Sequence, residues 1–194
     1  MPRSRTGRCS GTWGESSGST IGTKFKTASF SYFIELDLFT KITTFSNGAF
    51  SYNTTIKKIV SSHVSNGGYQ CFTSCSSLES VFFTSLTTLG AWNFRSCRKL
   101  KYVKLGQLTK NGNLTDSKTF ENCPLVYVAL YLTSIPSWAA DTSISNLFPN
   151  SPYIYVPDEL LEDLKVTTAF SPRAAKMKPL SELEADAISN GWDY

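Results

Sequence analysis

The chain has one histidine, His63, in 194 residues, and that scarcity removes most of the chemistry that rests on imidazole. A Ser-His-Asp relay needs a base beside its serine, and a zinc site draws on clustered Cys and His. The literal G-x-S-x-G at Gly14–Gly18 lies in a Ser/Gly-rich stretch with no strand-to-helix elbow around it, so it reads as coincidence. Neither a G-x-x-x-x-G-K-[ST] loop nor an H-E-x-x-H helix occurs. No apolar run reaches the ~20 residues of a membrane helix. The longest, Leu125–Leu132, is interrupted by tyrosines and reads as a buried strand. The basic start, Met1 to Arg8, is followed by no apolar region, so no secretory signal is expected. The close-set carboxylates Asp158, Glu159, Glu162 and Asp163 fall where a helix begins, and the helix dipole and solvation account for them. Two N-x-T sequons, at Asn53 and Asn113, are what chance supplies in so Ser/Thr-rich a chain. A chain without enzymatic activity, cofactor or metal is expected.

What the sequence does have is a period. Phe50, Phe72 and Phe94 recur every 22 residues, with Ile42, Val64 and Leu86 eight residues before them. Ile56, Leu78 and Leu100 follow six residues after, and Ile59, Val81 and Val103 nine after. The third position after each phenylalanine is Asn53, Cys75 and Cys97. A fourth copy continues with Phe120 and Cys123 after a lengthening around Asn111–Leu114, and a degenerate fifth runs Leu132, Ile135, Phe148, Ser151, Ile154. Periods in the twenties belong to stacked coils, none of which buries its apolar side alone. Short extended segments such as Leu78–Val81 and Leu100–Val103 should pair in parallel from coil to coil, with the phenylalanines stacked as a spine. Ser46–Gly48 and Ser65–Gly68 are expected to supply the turns.

The unit Leu86-Thr-Thr-Leu89 followed by Trp92-Asn-Phe94-Arg-Ser-Cys97-Arg-Lys-Leu100-Lys-Tyr-Val103 resembles the BspA-type leucine-rich repeat. The ending, Ile154–Leu161, Phe170-Ser171-Pro172 and Lys178–Leu183, is similar to the C-terminal cap of such proteins from gut bacteria and their phages. The resemblance implies an α/β, β-rich fold: a short leucine-rich-repeat solenoid of about 4–5 coils with parallel strands and a C-terminal helical cap. It also implies a binding or adhesion role on a cell surface or a phage particle, the latter needing no signal peptide. Ala49 keeps the alanine usual before the phenylalanine, whereas Cys71 and Asn93 depart from it.

The expected organisation is a Gly/Ser/Arg-rich arm over 1–29, the solenoid over 30–156 and the cap over 157–194. A run from Phe30 to Phe39, apolar at Phe30, Tyr32, Ile34, Leu36 and Leu38, should cover the first coil. In the cap, Leu160, Leu161 and Leu164 have helical spacing, and Ser181–Ile188 reads as a last helix ended near Asn190-Gly191. Of five cysteines, Cys75, Cys97 and Cys123 share one repeat column and read, with Cys71, as small buried apolar groups with a weak thiol donor. Cys9 lies in the arm.

Charge is uneven. Residues 1–150 hold fifteen Lys/Arg against seven Asp/Glu, and residues 151–194 hold four against eight. Arg95, Arg98, Lys99, Lys101 and Lys104 crowd one coil, and Trp92 and Tyr102 lie beside them. Cations with Tyr and Trp form low-entropy binding surfaces, so these seven are the candidate binding residues. Tyr52, Tyr69, Tyr127, Tyr131, Trp138, Tyr153 and Tyr155 also exceed what a core column needs and divide between coil packing and surface. The expected partner is a protein or a glycan, since no nucleic-acid motif accompanies the patch. The alternative is a structural component of a larger virion or envelope assembly, or a homo-oligomer, held through residues 1–29.

Overall fold

Each 22-residue unit alternates a two-residue strand, a tight turn and a four-residue strand, and the two kinds of strand stack into separate parallel sheets. The computed structural model describes residues 20–21, 33–35, 42–108, 118–140, 148 and 152–194. The short sheet contains β1 (Thr20–Ile21), β3 (Thr44–Phe45), β5 (Asn66–Gly67) and β7 (Thr88–Leu89), in the order β1-β3-β5-β7. The long sheet contains β2 (Phe33–Glu35), β4 (Lys58–Ser61), β6 (Ser80–Phe83), β8 (Tyr102–Leu105), β9 (Tyr127–Leu130), β10 (Tyr153–Val156) and β11 (Met177–Pro179). Its order is β11-β10-β9-β8-β6-β4-β2. Lys58, Ser80, Tyr102, Tyr127 and Tyr153 fall in one register row across five strands.

Cys9, the Gly14–Gly18 motif, the lengthening at 111–114 and most of the 1–29 arm lie outside the described residues, as do the flanks of the Phe30–Phe39 run. Thr20–Ile21, within the segment read as an arm, pairs with Thr44–Phe45, and Phe33–Glu35 pairs with Lys58–Val60.

The spine lies between the sheets. Phe50, Phe72, Phe94 and Phe120 stack at centroid separations of 5.1, 5.3 and 5.3 Å with interplanar angles of 6°, 13° and 13°. Phe148 continues the column at 5.7 Å, tilted by 40°. Each near-parallel pair contributes roughly 0.5–1.5 kcal/mol beyond its burial.

The turn around each phenylalanine depends on left-handed backbone at two columns. Two residues before it, Gly48, Gln70 and Trp92 have φ of 65°, 54° and 56°. Two after it, Tyr52, Ser74, Ser96 and Asn122 have φ of 59–62°. For a side chain larger than glycine this costs on the order of 1 kcal/mol, and the surroundings must hold it there. They do so by hydrogen bonding. The amides of Gly48, Phe50 and Tyr52 donate to the next coil's Tyr69, Cys71 and Thr73 carbonyls at 2.8, 2.8 and 2.7 Å. Gln70, Phe72 and Ser74 repeat the pattern one coil on, to Ala91, Asn93 and Arg95, at 3.1, 2.9 and 2.8 Å. The amides between them close turns within the coil, as Ala49 does to Ser46 at 3.1 Å. The alternating backbone thus pairs buried amides that would otherwise go unsatisfied.

The cysteine column serves the same end. The thiols of Cys75, Cys97 and Cys123 donate to the carbonyls of Phe50, Phe72 and Phe94 at 3.1, 2.9 and 3.0 Å. In the first of these coils Asn53 replaces cysteine, and its Oδ1 accepts from the Thr55 and Ile56 amides, each at 3.0 Å. Cys71, Cys75, Cys97 and Cys123 are all buried thiols. Burial pushes the Cys71 thiol from 9.0 up to about 12 and raises Cys97 as well. Cys75 rises chiefly through its hydrogen bond with Cys97 and then through burial. A thiol whose pKa is raised by folding adds stability below its unfolded pKa and loses it as pH climbs. Unfolding stability should therefore fall progressively above about pH 9. In a Cys9→Ser chain, a thiol reagent at pH 8 should label none of the four in the folded state and all four in denaturant. Rapid labelling of the folded chain would contradict this burial.

One expected turn differs in the structure. Ser65–Gly68, expected as a turn, contains β5, and neither Gly68 nor Gly90 has a positive φ. Coil spacing requires them. A Cβ on Gly90 would lie 2.6 Å from the carbonyl carbon and oxygen of Gly68.

The end of the chain is helical, in short pieces set by Pro157, Pro172 and Pro179. A 3-10 turn at Asp158–Leu160 leads into α1 (Leu161–Lys165), and another spans Ser171–Lys176. Strand β11 was not expected here. It accepts Pro179 because it is the edge of the long sheet, where a missing N–H breaks no ladder. A third 3-10 turn, Leu180–Glu182, precedes α2 (Leu183–Asn190), which Gly191 ends at φ 65° with the Trp192 amide bonded to the Ala187 carbonyl at 2.9 Å. Asp158 binds the Ser181 hydroxyl at 2.5 Å and the Ser181 amide at 3.2 Å, tying the two helical turns together. Those bonds hold the Asp158 carboxyl below its ordinary range.

Candidate functional site

The seven candidate residues fall on two different sides of the solenoid. Trp92, Arg95, Arg98 and Lys99 lie on the turn side, Lys101 at the edge of β8, and Tyr102 and Lys104 on the outer face of the long sheet.

On the turn side, Trp92 occupies one of the left-handed columns and is half-buried. The Arg95 guanidinium lies 5.3 Å from its ring centroid and the Lys118 ammonium 5.6 Å, so cations from adjacent coils flank one indole. Tyr69 of the preceding coil meets Trp92 at 5.6 Å, tilted by 40°. Arg95 also pairs with Glu121 at 2.6 Å. Arg98, Lys99 and Lys101 are exposed and carry no ion pair among the described residues. Three coils thus contribute to one aromatic and cationic surface. Lys118 and Tyr69 belong to it, although their sequence positions, 26 residues after and 23 before Trp92, kept them out of the candidate set. A column alignment could have found both, since each sits two or three places before its own phenylalanine.

Tyr102 and Lys104 are different. Their side chains emerge on the outer face of the long sheet, beneath residues 192–194. Tyr102 packs on Tyr127 at 5.5 Å, and Lys104 Nζ lies 4.8 Å from the Phe82 centroid and 4.6 Å from that of Tyr194. Burial, then the Asp193 and Glu79 carboxylates, raises the Tyr102 pKa. Burial, then the like charge of Lys58, lowers that of Lys104. Neither residue shares a surface with Trp92.

Of the further aromatic residues, Tyr127, Trp138 and Tyr155 are fully buried, so they are not available to a ligand. Trp138 donates from Nε1 to the Leu108 carbonyl at 2.8 Å. Tyr155 donates to Asp186 at 2.5 Å, and Lys178 meets the same carboxylate at 2.6 Å. Lys178 first and Tyr155 second lower the Asp186 pKa, and burial first and then the Asp186 bond raises that of Tyr155. Tyr52, at 67% exposed, is the most open aromatic among the described residues.

Among the described residues, no group of three or more His, Cys, Asp or Glu side chains converges as a metal site would require. No described helix is long and apolar enough to cross a membrane.

The family model for the BspA type Leucine rich repeat region matches residues 20–145 in six copies. No curated protein and no solved structure matches the chain.

Proposed function

We propose, from the premise that this chain belongs to the BspA-type leucine-rich repeat family, that it is a recognition module which binds an anionic protein surface or glycan through the turn side of its solenoid. Such repeats are generally non-enzymatic and mediate interaction, often in surface and adhesion proteins. The observation that carries the reading is the convergence of Tyr69, Trp92, Arg95 and Lys118 from three coils, with exposed Arg98 and Lys99 following Arg95 on the same turn side and Lys101 at its border with β8. A flat indole stacks on a sugar ring or an aliphatic side chain, and flanking cations select negative charge. The coil needs left-handed backbone at this column, and Gly48 meets that need in another copy without the strain that Trp92 bears, so the indole is there for more than the turn. The carrier is a bacterial surface protein or a phage particle.

Retention on immobilised heparin and on an immobilised acidic protein tests the reading and separates the two ligand classes. Trp92→Ala should weaken binding about tenfold, roughly 1.4 kcal/mol. Arg98→Glu with Lys99→Glu should abolish it at moderate salt, because exposed charges act over about 10 Å. Circular dichroism should stay unchanged for both. Unaltered retention in the two variants would overturn the assignment of this surface.

A further inference from the structure

The outer face of the long sheet carries a second cationic and aromatic surface, and residues of this chain already occupy it. Beyond Gly191 the chain crosses the strands along the row Tyr153, Tyr127, Tyr102, Ser80 and Lys58. Trp192 packs on Tyr153 at 5.7 Å and on Tyr127 at 5.8 Å. The Asp193 carboxylate accepts from Lys58 Nζ at 2.6 Å and from the Ser80 hydroxyl, and its carbonyl accepts from the Tyr127 hydroxyl at 2.8 Å. Tyr194 lies under Lys104 Nζ at 4.6 Å. Lys58 and Lys104 flank Phe82 at 4.5 and 4.8 Å. Three consecutive side chains, aromatic, acidic and aromatic, thus meet two lysines and a row of tyrosines.

We propose that this row is a docking site for an aromatic–acidic–aromatic peptide segment of a partner protein, and that Trp192, Asp193 and Tyr194 hold it closed in cis. Lys58 and Lys104 lie against the Phe82 ring on this face, where packing alone leaves their charge uncompensated, and the Asp193 carboxylate supplies what they lack. The strap is held mainly by side chains, so an exogenous segment of the same chemistry can make the same contacts. Its root is permissive as well, since Gly191 has open space around its Cα and ends α2 without packing of its own. A closed strap lowers the apparent affinity for a partner by the fraction of molecules that are open. This surface is separate from the turn side that carries the proposed recognition of anionic ligands.

The test uses the full chain with Trp192→Ala and Asp193→Ala, and a fluorescein-labelled peptide Ser-Asn-Gly-Trp-Asp-Tyr-amide followed by anisotropy. The opened variant should bind the peptide about 10- to 100-fold tighter than the unaltered chain. Adding Lys58→Glu should remove that binding, and Trp92→Ala should leave it intact, which distinguishes failure here from failure of the turn-side reading. Equal or absent binding by an opened variant with an unchanged circular dichroism spectrum overturns the proposal. Should the double variant not fold, Asp193→Asn, which keeps the shape and removes the charge, is read by the same criterion.

Discussion

Replacing Phe72 with alanine should lower the unfolding free energy by about 3–5 kcal/mol, the range for removing a buried aromatic ring from a close-packed core. Phe72 stacks on both Phe50 and Phe94, and Phe45 and Phe83 meet it at 5.5 and 5.8 Å. The cavity would open in the middle of the column, where neither sheet can close over it without breaking the coil-to-coil hydrogen bonds. Because each coil rests on its neighbours, the loss should spread along the stack instead of staying local. Phe72→Leu keeps most of the burial and gives up the ring stacking, so about 1–2 kcal/mol is expected. Urea unfolding followed by circular dichroism measures both. A loss below 1 kcal/mol for the alanine variant would mean that the column is not the stabilising spine.

Alanine at Gly90 should cost on the order of 1–3 kcal/mol, through steric conflict and not through backbone strain. The added methyl would sit 2.6 Å from Gly68 backbone atoms and 2.7 Å from the Tyr69 amide nitrogen, and none of these is a flexible side chain that can turn away. The spacing of two coils would have to change to admit it. Gly191→Ala is the contrast. There nothing lies within 4 Å, but φ is 65°, so the expected cost is the roughly 1 kcal/mol of left-handed backbone. Chemical denaturation of both variants, together with amide hydrogen exchange of the β3, β5 and β7 turns, separates the two causes. Only Gly90→Ala should loosen protection between adjacent coils.

Much of the site was hidden in the sequence for the same reason that the repeat was visible. Columns 22 residues apart reveal which residues stack on one another, and the Phe, Cys and leucine columns do so in the structure. What a column alignment leaves open is the side of the coil from which each position emerges. Trp92 and Tyr102 are ten residues apart and looked like neighbours of one basic coil, yet a turn and the start of a strand separate them. Gly68 looked like a turn residue, and only the distance between coils shows that it and Gly90 are clearances. The strap was further from reach. Asp193 meets Ser80 and Lys58 across 113 and 135 residues, and no periodicity links a residue beyond the last helix to a row in the repeat.

The sequence by itself determined the repeat length, the parallel stacking, the buried phenylalanine and cysteine columns and the helical ending with its glycine stop. These follow from local spacing, which fixes what lies inside each coil and what lies above it. Tertiary structure alone decided that left-handed backbone at two turn columns pairs the buried amides and that Tyr69, Trp92, Arg95 and Lys118 converge from three coils. It also decided that Trp192, Asp193 and Tyr194 close the outer face of the long sheet. Those features depend on the rotation of one coil on the next and on the path of the chain after its last helix, and both are set by packing between segments far apart in sequence.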